Sequence, residues 1–125
     1  MEEFMSASFR DLRVWQQAIE LSLSIYSCSA AFPKSELYGL AQQMRRASVS
    51  IASNIAEGKG RRSDKEFRQF LFNARGSLLE LETQIFIALK LEYISEKQWS
   101  DLQSQATQTG RSLAGLLNSL SVSIA

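Results

Sequence analysis

Apolar residues recur every three or four positions through most of the chain, which is the spacing of one face of an α-helix. The pattern predicts four helices, at about residues 10–31, 35–58, 64–93 and 96–120. No stretch shows the alternation and turn residues of a β-hairpin. Short connections between helices of similar length join antiparallel neighbours. We therefore predict an all-α fold, an antiparallel up-down-up-down four-helix bundle that forms a single domain over residues 1–125.

The ends of these helices are marked by residues that stop or start helical structure. Pro33, the only proline of the chain, pushes Phe32 out of the helical region and ends the first helix. Gly58 is placed as a C-terminal glycine would be, at the end of the second helix. Ser63 and Ser95 each stand three residues before a glutamate or glutamine, in "SDKE" and "SEKQ". Both segments are predicted to be capping boxes that begin the third and fourth helices.

The first helix carries an apolar stripe that we expect to face the core. Its members follow the three- and four-residue spacing of a helix face: Leu12, Trp15, Ile19, Leu23, Tyr26 and Ala30. The second helix is unusually rich in alanine and serine, and such small side chains allow another helix to approach closely. Close packing inside the subunit is the more frequent use of small residues, and pairing between subunits is the alternative.

The third helix has a second apolar line, beside the stripe that we assign to the core. Its residues lie seven apart: Phe72, Leu79, Phe86 and Tyr93. This line is either the edge of a wide core-facing side or a surface that meets another subunit. Aromatic residues are typical of interface cores, and monomers rarely leave such a stripe in water. We predict that these four residues form an oligomer interface.

The charge of the chain is concentrated in its middle third. The net charge is only +1, but residues 34–76 hold nine basic and four acidic side chains, a net charge of +5, whereas residues 1–33 and 77–125 each carry −2. Clustered Lys and Arg side chains neutralise phosphates and bind nucleic acid largely without sequence preference. The residues predicted to bind nucleic acid are Arg45 and Arg46 in the second helix and Lys59, Arg61, Arg62, Lys65 and Arg68 around the turn into the third.

A second interpretation of the same charges is that they solvate an exposed corner. In that case they would form ion pairs with Glu57, Asp64 and Glu66. We also expect Arg45 or Arg46, at mid-helix, to pair with Glu57 or another carboxylate. The two functional hypotheses are therefore a nucleic-acid-binding protein and a structural or protein-interaction scaffold.

The composition argues against catalysis. The chain has no histidine and a single cysteine, Cys28, so the commonest general base and metal ligand is missing and no internal disulfide can form. Gly58-Lys59-Gly60 lacks the earlier glycine, the Ser or Thr and the preceding strand of a phosphate-binding loop. We expect no enzymatic activity, no cofactor and no metal site. Without an apolar run long enough for a membrane helix, the protein is expected to be cytoplasmic.

Several segments together resemble a known bacterial family. The most specific are "YGL" from Tyr38, "RRA" from Arg45, "SNIAEG" from Ser53, and "SLLELETQ" from Ser77. They are similar to the four-helix-bundle proteins encoded within intervening sequences of large-subunit ribosomal RNA genes, and to the accessory variability determinant proteins of diversity-generating retroelements. The family often has proline where this chain has Ala52. The resemblance implies a ring-shaped homo-oligomer, commonly a pentamer, nucleic-acid binding in the retroelement branch, and possible partner proteins. It implies no catalytic activity.

Overall fold

Four helices make up most of residues 8–120, the part of the chain that the computed structural model describes. Short 3-10 helices at Phe9–Asp11 and Lys34–Glu36 precede the first and second of them. The four are α1 (Arg13–Ser29), α2 (Leu40–Lys59), α3 (Asp64–Lys90) and α4 (Glu96–Ser119). The predicted all-α, four-helix fold is confirmed, and α2 runs unbroken through Ala52.

Contacts between helices show that chain neighbours run in opposite directions. At the start of α3, Arg68 donates a hydrogen bond to the carbonyl of Leu117 near the end of α4. Later in α3, Glu82 accepts one from Gln103 near the start of α4, at 3.4 Å. The α1–α2 and α2–α3 pairs are reversed in the same way, each shown by two contacts, and α1 also packs against α4. The helices therefore form a closed up-down-up-down bundle.

The core is a single apolar cluster with contributions from all four helices. The apolar residues that recur at helical spacing in α3 and α4 largely face it. The stripe predicted for α1 is wrong only in its second half, since Trp15 and Ile19 pack against the core. Leu23 and Tyr26 are 59% and 45% exposed, and the residues of α1 that enter the core are instead Val14, Ala18, Leu21 and Ile25. This helix is apolar on two sides, so its spacing does not decide which side is buried.

The second helix begins five residues later than predicted. Residues 34–36 form a 3-10 turn, after which the Glu36 Oε1 atom accepts the Leu40 N–H at 2.9 Å. This bond satisfies a backbone donor that the helix start leaves without an intrahelical partner. The third helix ends at Lys90, three residues earlier than predicted, because Glu92 takes a left-handed conformation with φ of 63°.

The two predicted capping boxes differ in the structure. At Ser95 both reciprocal bonds are present: the hydroxyl accepts the Gln98 N–H, and the Gln98 side chain accepts the Ser95 N–H. At Ser63 only the first half is formed, since the hydroxyl accepts the Glu66 N–H at 3.1 Å and the Glu66 side chain does not return the bond. Both serines nevertheless begin their helices as predicted.

Candidate nucleic-acid interface and apolar grooves

The turn between α2 and α3 presents five cations at one end of the bundle, which we call the basic end: Lys59, Arg61, Arg62, Lys65 and Arg68. Its shape depends on Gly58, which lies against Phe67 and Phe70 and lets the last turn of α2 touch the first turns of α3. Arg61, Arg62 and Lys65 are exposed, and Lys59 and Arg68 are partly buried. The structure therefore brings together five of the seven residues predicted to bind nucleic acid.

Ion pairing accounts for little of this charge. Arg61 lies 3.3 Å from Glu57, with both side chains about half exposed. Within residues 8–120, the other four cations have no carboxylate within 4 Å, and Asp64 and Glu66 do not pair with them. An exposed pair of this kind contributes at most about 1 kcal/mol. The basic end thus keeps most of its positive charge facing solvent.

Aromatic rings are interleaved with these cations. The Arg61 guanidinium lies 4.6 Å from the centroid of the Phe70 ring, and Lys59 Nζ lies 5.9 Å from that of Phe67. These cations lie within the distance at which a positive charge is attracted to the face of an aromatic ring. Lys59 and Arg61 of the basic end thus each have an aromatic ring beside them.

Arg68 has a structural role besides its charge. Its guanidinium donates to the carbonyl of Leu117 in the last turns of α4, where helix carbonyls lack intrahelical partners and favour a cation. The same side chain lies over the ring of Phe72. Arg68 therefore joins the start of α3 to the end of α4, and a substitution there would affect stability as well as charge.

Arg45 and Arg46 lie away from the basic end. Thirteen residues of helix separate Arg46 from Lys59, about 20 Å along α2. The Arg45 Nε atom donates to the Ser29 hydroxyl at 2.8 Å, and its guanidinium lies 4.9 Å from the centroid of the Tyr26 ring. The expected ion pair with Glu57 or another carboxylate is wrong for both arginines within the described residues. A serine and a tyrosine of α1 hold Arg45 instead.

These two arginines line a concavity of about 610 Å³ that we call the α1–α2 groove. Its apolar side chains are largely exposed, and Tyr38 reaches 83%. The full lining is Tyr26, Leu37, Tyr38, Gln42, Arg45, Arg46, Val49 and Ser50. Sequence reasoning missed this groove because Tyr26 was assigned to the core-facing stripe of the first helix. The signal that could have revealed it is the presence of two tyrosines and two arginines near the α1–α2 connection, since Tyr and Arg are enriched at interface centres.

A second concavity, of about 460 Å³, lies between α3 and α4 and is called the α3–α4 groove. It contains two members of the predicted interface line, together with Ile87 and Trp99, which the sequence analysis did not include in that line. The full lining is Leu79, Glu82, Thr83, Phe86, Ile87, Trp99 and Gln103. Leu79, Phe86 and Ile87 are each between 43% and 56% exposed.

The structure separates the other two members of the predicted interface line from this groove. Tyr93 follows the end of α3, where its hydroxyl donates to Glu36 at 2.8 Å and its ring lies 5.2 Å from that of Phe32. The prediction that Tyr93 continues the helical line of Phe86 is therefore wrong. Phe72 is exposed on α3 near the basic end. The guanidinium groups of Arg68, one turn earlier, and Arg75, one turn later, both lie near its ring.

Cys28 is the only cysteine of the chain. Burial raises the pKa of the Cys28 thiol above its ordinary value, an effect that the nearby Arg45 partly opposes. The thiol is thus kept protonated at neutral pH, whereas a nucleophilic cysteine needs a lowered pKa. In this part of the chain no three potential ligands cluster around a metal position, and no helix is long and apolar enough to cross a membrane.

A comparison with protein-family models matches residues 10–115 to the family of 23S rRNA-intervening sequence proteins. The chain belongs to this family. The match covers all of α1, α2 and α3 and most of α4. No curated protein sequence matches the chain significantly.

Among solved structures, the bundle is similar to a protein of unknown function from the S23 ribosomal protein family of Bacteroides thetaiotaomicron. The two share 21% sequence identity and superpose with a TM-score of 0.77, over 84% of this chain and 95% of the other. At this level of identity the likeness establishes the shared four-helix fold. The resemblance to intervening-sequence proteins is thereby confirmed at the level of family and fold.

Proposed function

We propose that this member of the intervening-sequence family is a non-enzymatic, homo-oligomeric protein that binds RNA or DNA phosphates through its basic end. The observation that carries the proposal is the low degree of ion pairing there. Five cations surround the turn between α2 and α3, and within the described residues only Arg61 has a carboxylate neighbour. Such a cluster releases counterions from a nucleic-acid strand, so we expect salt-sensitive binding with little base preference.

Assembly is supported by the two apolar grooves. The α1–α2 groove lies at the end of α1 and the start of α2, and the α3–α4 groove at the second half of α3 and the start of α4. In an antiparallel bundle these positions lie at the same height, at the end opposite the basic end. The hydrogen bond between Tyr93 and Glu36 joins the two loops at that end.

Two different apolar patches at the same height suit a head-to-tail assembly. A heterologous contact of this kind closes into a ring when its rotation permits. One groove carries Arg45 and Arg46 and the other Glu82, so the charged groups at the two surfaces are also complementary. The family resemblance supplies the number of subunits, commonly five.

A ring would multiply the weak contacts of each basic end. If the helices run parallel to the ring axis, all α2–α3 turns lie on one rim, and five copies bring about 25 cations together. A strand that touches several subunits binds through avidity even when each contact is weak. We therefore expect micromolar or weaker affinity per site and a steep loss of binding as salt increases.

The nucleic-acid test replaces three exposed cations, Arg61, Arg62 and Lys65, with glutamine. Arg68 is left in place because its bond to Leu117 would confound the result. The matched control replaces Lys34, Lys90 and Lys97, three exposed lysines at the opposite end of the bundle, and so removes the same charge away from the basic end. Each set also removes one exposed ion pair between residues four apart, Arg61 with Glu57 or Lys97 with Asp101.

Binding of labelled single-stranded RNA, measured by fluorescence anisotropy from low to moderate salt, should weaken only in the basic-end variant. Its plot of log affinity against log salt should become shallower by about 2 for three lost phosphate contacts. Equal losses in both variants would show that the basic end has no special role.

The assembly test is Phe86→Asp in the α3–α4 groove. Because Phe86 is 48% exposed, the variant should keep its helicity while light scattering shifts from an oligomer to the 14.0 kDa monomer. Gln69→Asp, on an exposed part of α3 outside the groove, is the control and should leave assembly unchanged. A wild-type protein that is already monomeric at micromolar concentration would contradict the proposed assembly.

The second candidate function is a scaffold that joins proteins and does not bind nucleic acid. The two exposed apolar grooves favour it, because such patches typically mark protein contacts. The scaffold function is favoured if the wild-type protein binds no single- or double-stranded RNA or DNA at low salt.

A further inference from the structure

Phe72 occupies an unusual position on the exposed side of α3. It is 40% exposed, and residues one turn before and one turn after it are arginines. The guanidinium carbons of Arg68 and Arg75 lie 5.5 and 5.4 Å from the centroid of its ring. Lys65 lies one turn farther along the same side of the helix. An aromatic ring thus stands within a row of three cations next to the basic end.

Phe72 is not part of the apolar groove farther along the helix. The α3–α4 groove begins at Leu79 and continues through Phe86 to Ile87 and Trp99. The ring of Phe72 is instead accompanied by guanidinium groups, which are weakly hydrated and attracted to aromatic faces. An apolar protein partner would have to desolvate both arginines to cover it.

The two arginines are held differently. Arg68 is tied to the carbonyl of Leu117, so it is fixed beside the ring. Arg75 is exposed, and within residues 8–120 it has neither a hydrogen bond nor a carboxylate within 4 Å. The Arg75 guanidinium is therefore free to leave the Phe72 ring and bind a phosphate of a nucleic-acid strand. This movement would expose a face of the ring to a base of the same strand.

We infer that Phe72 is a base-stacking residue and that the row formed by Lys65, Arg68, Phe72 and Arg75 takes a single strand of nucleic acid. The inference rests on the proposed nucleic-acid binding and adds the class of ligand. Aromatic rings combined with basic side chains bind single strands because every unpaired base offers a face for stacking. Bases inside a duplex are already stacked on each other and cannot reach such a ring.

The test compares Phe72→Leu, which keeps an apolar side chain without the ring, with Phe72→Tyr, which keeps the ring. Leu23→Ala is the matched control, because Leu23 is an apolar residue of α1 that is 59% exposed and lines neither groove. Anisotropy is measured with a single-stranded RNA, the duplex of the same sequence, and an abasic strand of equal length. Circular dichroism verifies that each variant is folded.

Phe72→Leu should weaken binding of the single strand about 5- to 150-fold, the loss of one stacked base. Its binding of the duplex and the abasic strand should be unchanged, and Phe72→Tyr and Leu23→Ala should bind like the wild type. If the wild type binds single strand and duplex equally and Phe72→Leu alters neither, the inference is overturned while the proposed function stands. If polyglutamate binds with the same dependence on Phe72, the surface takes an acidic polypeptide, and the inference also fails. If the wild type binds no nucleic acid at all, both proposals fail together.

Discussion

Gly58 offers a direct measurement of how closely α2 and α3 approach each other. A Cβ atom added to it would lie 2.6 Å from the Cβ of Phe70 and 3.0 Å from Cδ1 of Phe67. The first of these atoms is attached directly to the α3 backbone, so no side-chain rotation can remove the clash. In Gly58→Ala, α3 must therefore shift or the last turn of α2 must unwind.

Gly76 provides the comparison, because a Cβ added there meets no atom within 4 Å. Alanine is favoured over glycine within a helix by about 1 kcal/mol, so Gly76→Ala should stabilise the protein by about that amount. Gly58→Ala gains the same propensity but adds overpacking, which typically costs about 1–3 kcal/mol. Because the propensity is common to both variants, their free energies of unfolding should differ by about 1–3 kcal/mol, with Gly58→Ala the less stable.

Urea unfolding followed by circular dichroism tests this difference. Both variants are measured at the same protein concentration, since the stability of an oligomer depends on concentration. With a urea dependence of about 1–3 kcal/mol per molar, the two midpoints should be separated by roughly 1 M. If Gly58→Ala unfolds at the same midpoint as Gly76→Ala or above it, the close approach of α2 and α3 does not constrain the bundle, and the shape of the basic end cannot depend on it.

Two further predictions concern the loops at the other end of the bundle. Ser95→Ala removes the complete capping box of α4 and should lower the free energy of unfolding by about 1 kcal/mol in urea, whereas Ser100→Ala, on an exposed part of the same helix, should not lower it. Hydrogen bonds from the Leu40 N–H and the Tyr93 hydroxyl hold the pKa of Glu36 below its ordinary value of 4.5. The resulting stabilisation is present above pH 4.5 and is lost as the pH falls through the lower pKa of the folded state. The difference in free energy of unfolding between the wild type and Glu36→Gln should therefore shrink in acid. A difference that is constant with pH would contradict this.

Much of the architecture follows from local sequence. Apolar spacing predicts the number and type of the helices, and Pro33, Ser63 and Ser95 mark boundaries that the structure keeps within a few residues. The basic end can also be predicted from the sequence, because its five cations lie within a segment of ten residues. These features depend on backbone preferences and on neighbours in the chain, which a single sequence contains. The same holds for the family, whose short motifs are spread over most of the helices.

The tertiary structure decides which side of a helix is buried and which distant residues meet. Periodicity places Leu21 and Leu23 equally well inside, and only packing against α2 and α4 buries Leu21 and exposes Leu23. Tyr93 continues a seven-residue line in the sequence, but the left-handed turn at Glu92 takes it out of the helix, and its hydroxyl finds Glu36, 57 residues away.

Arg45 likewise bonds to Ser29 and not to a carboxylate, and Arg68 to a carbonyl 49 residues farther along. Local spacing determines how side chains are arranged around one helix. The partner that each side chain meets depends on how far the helices rotate about their axes when the core closes, and that rotation is set by the packing of all four helices together.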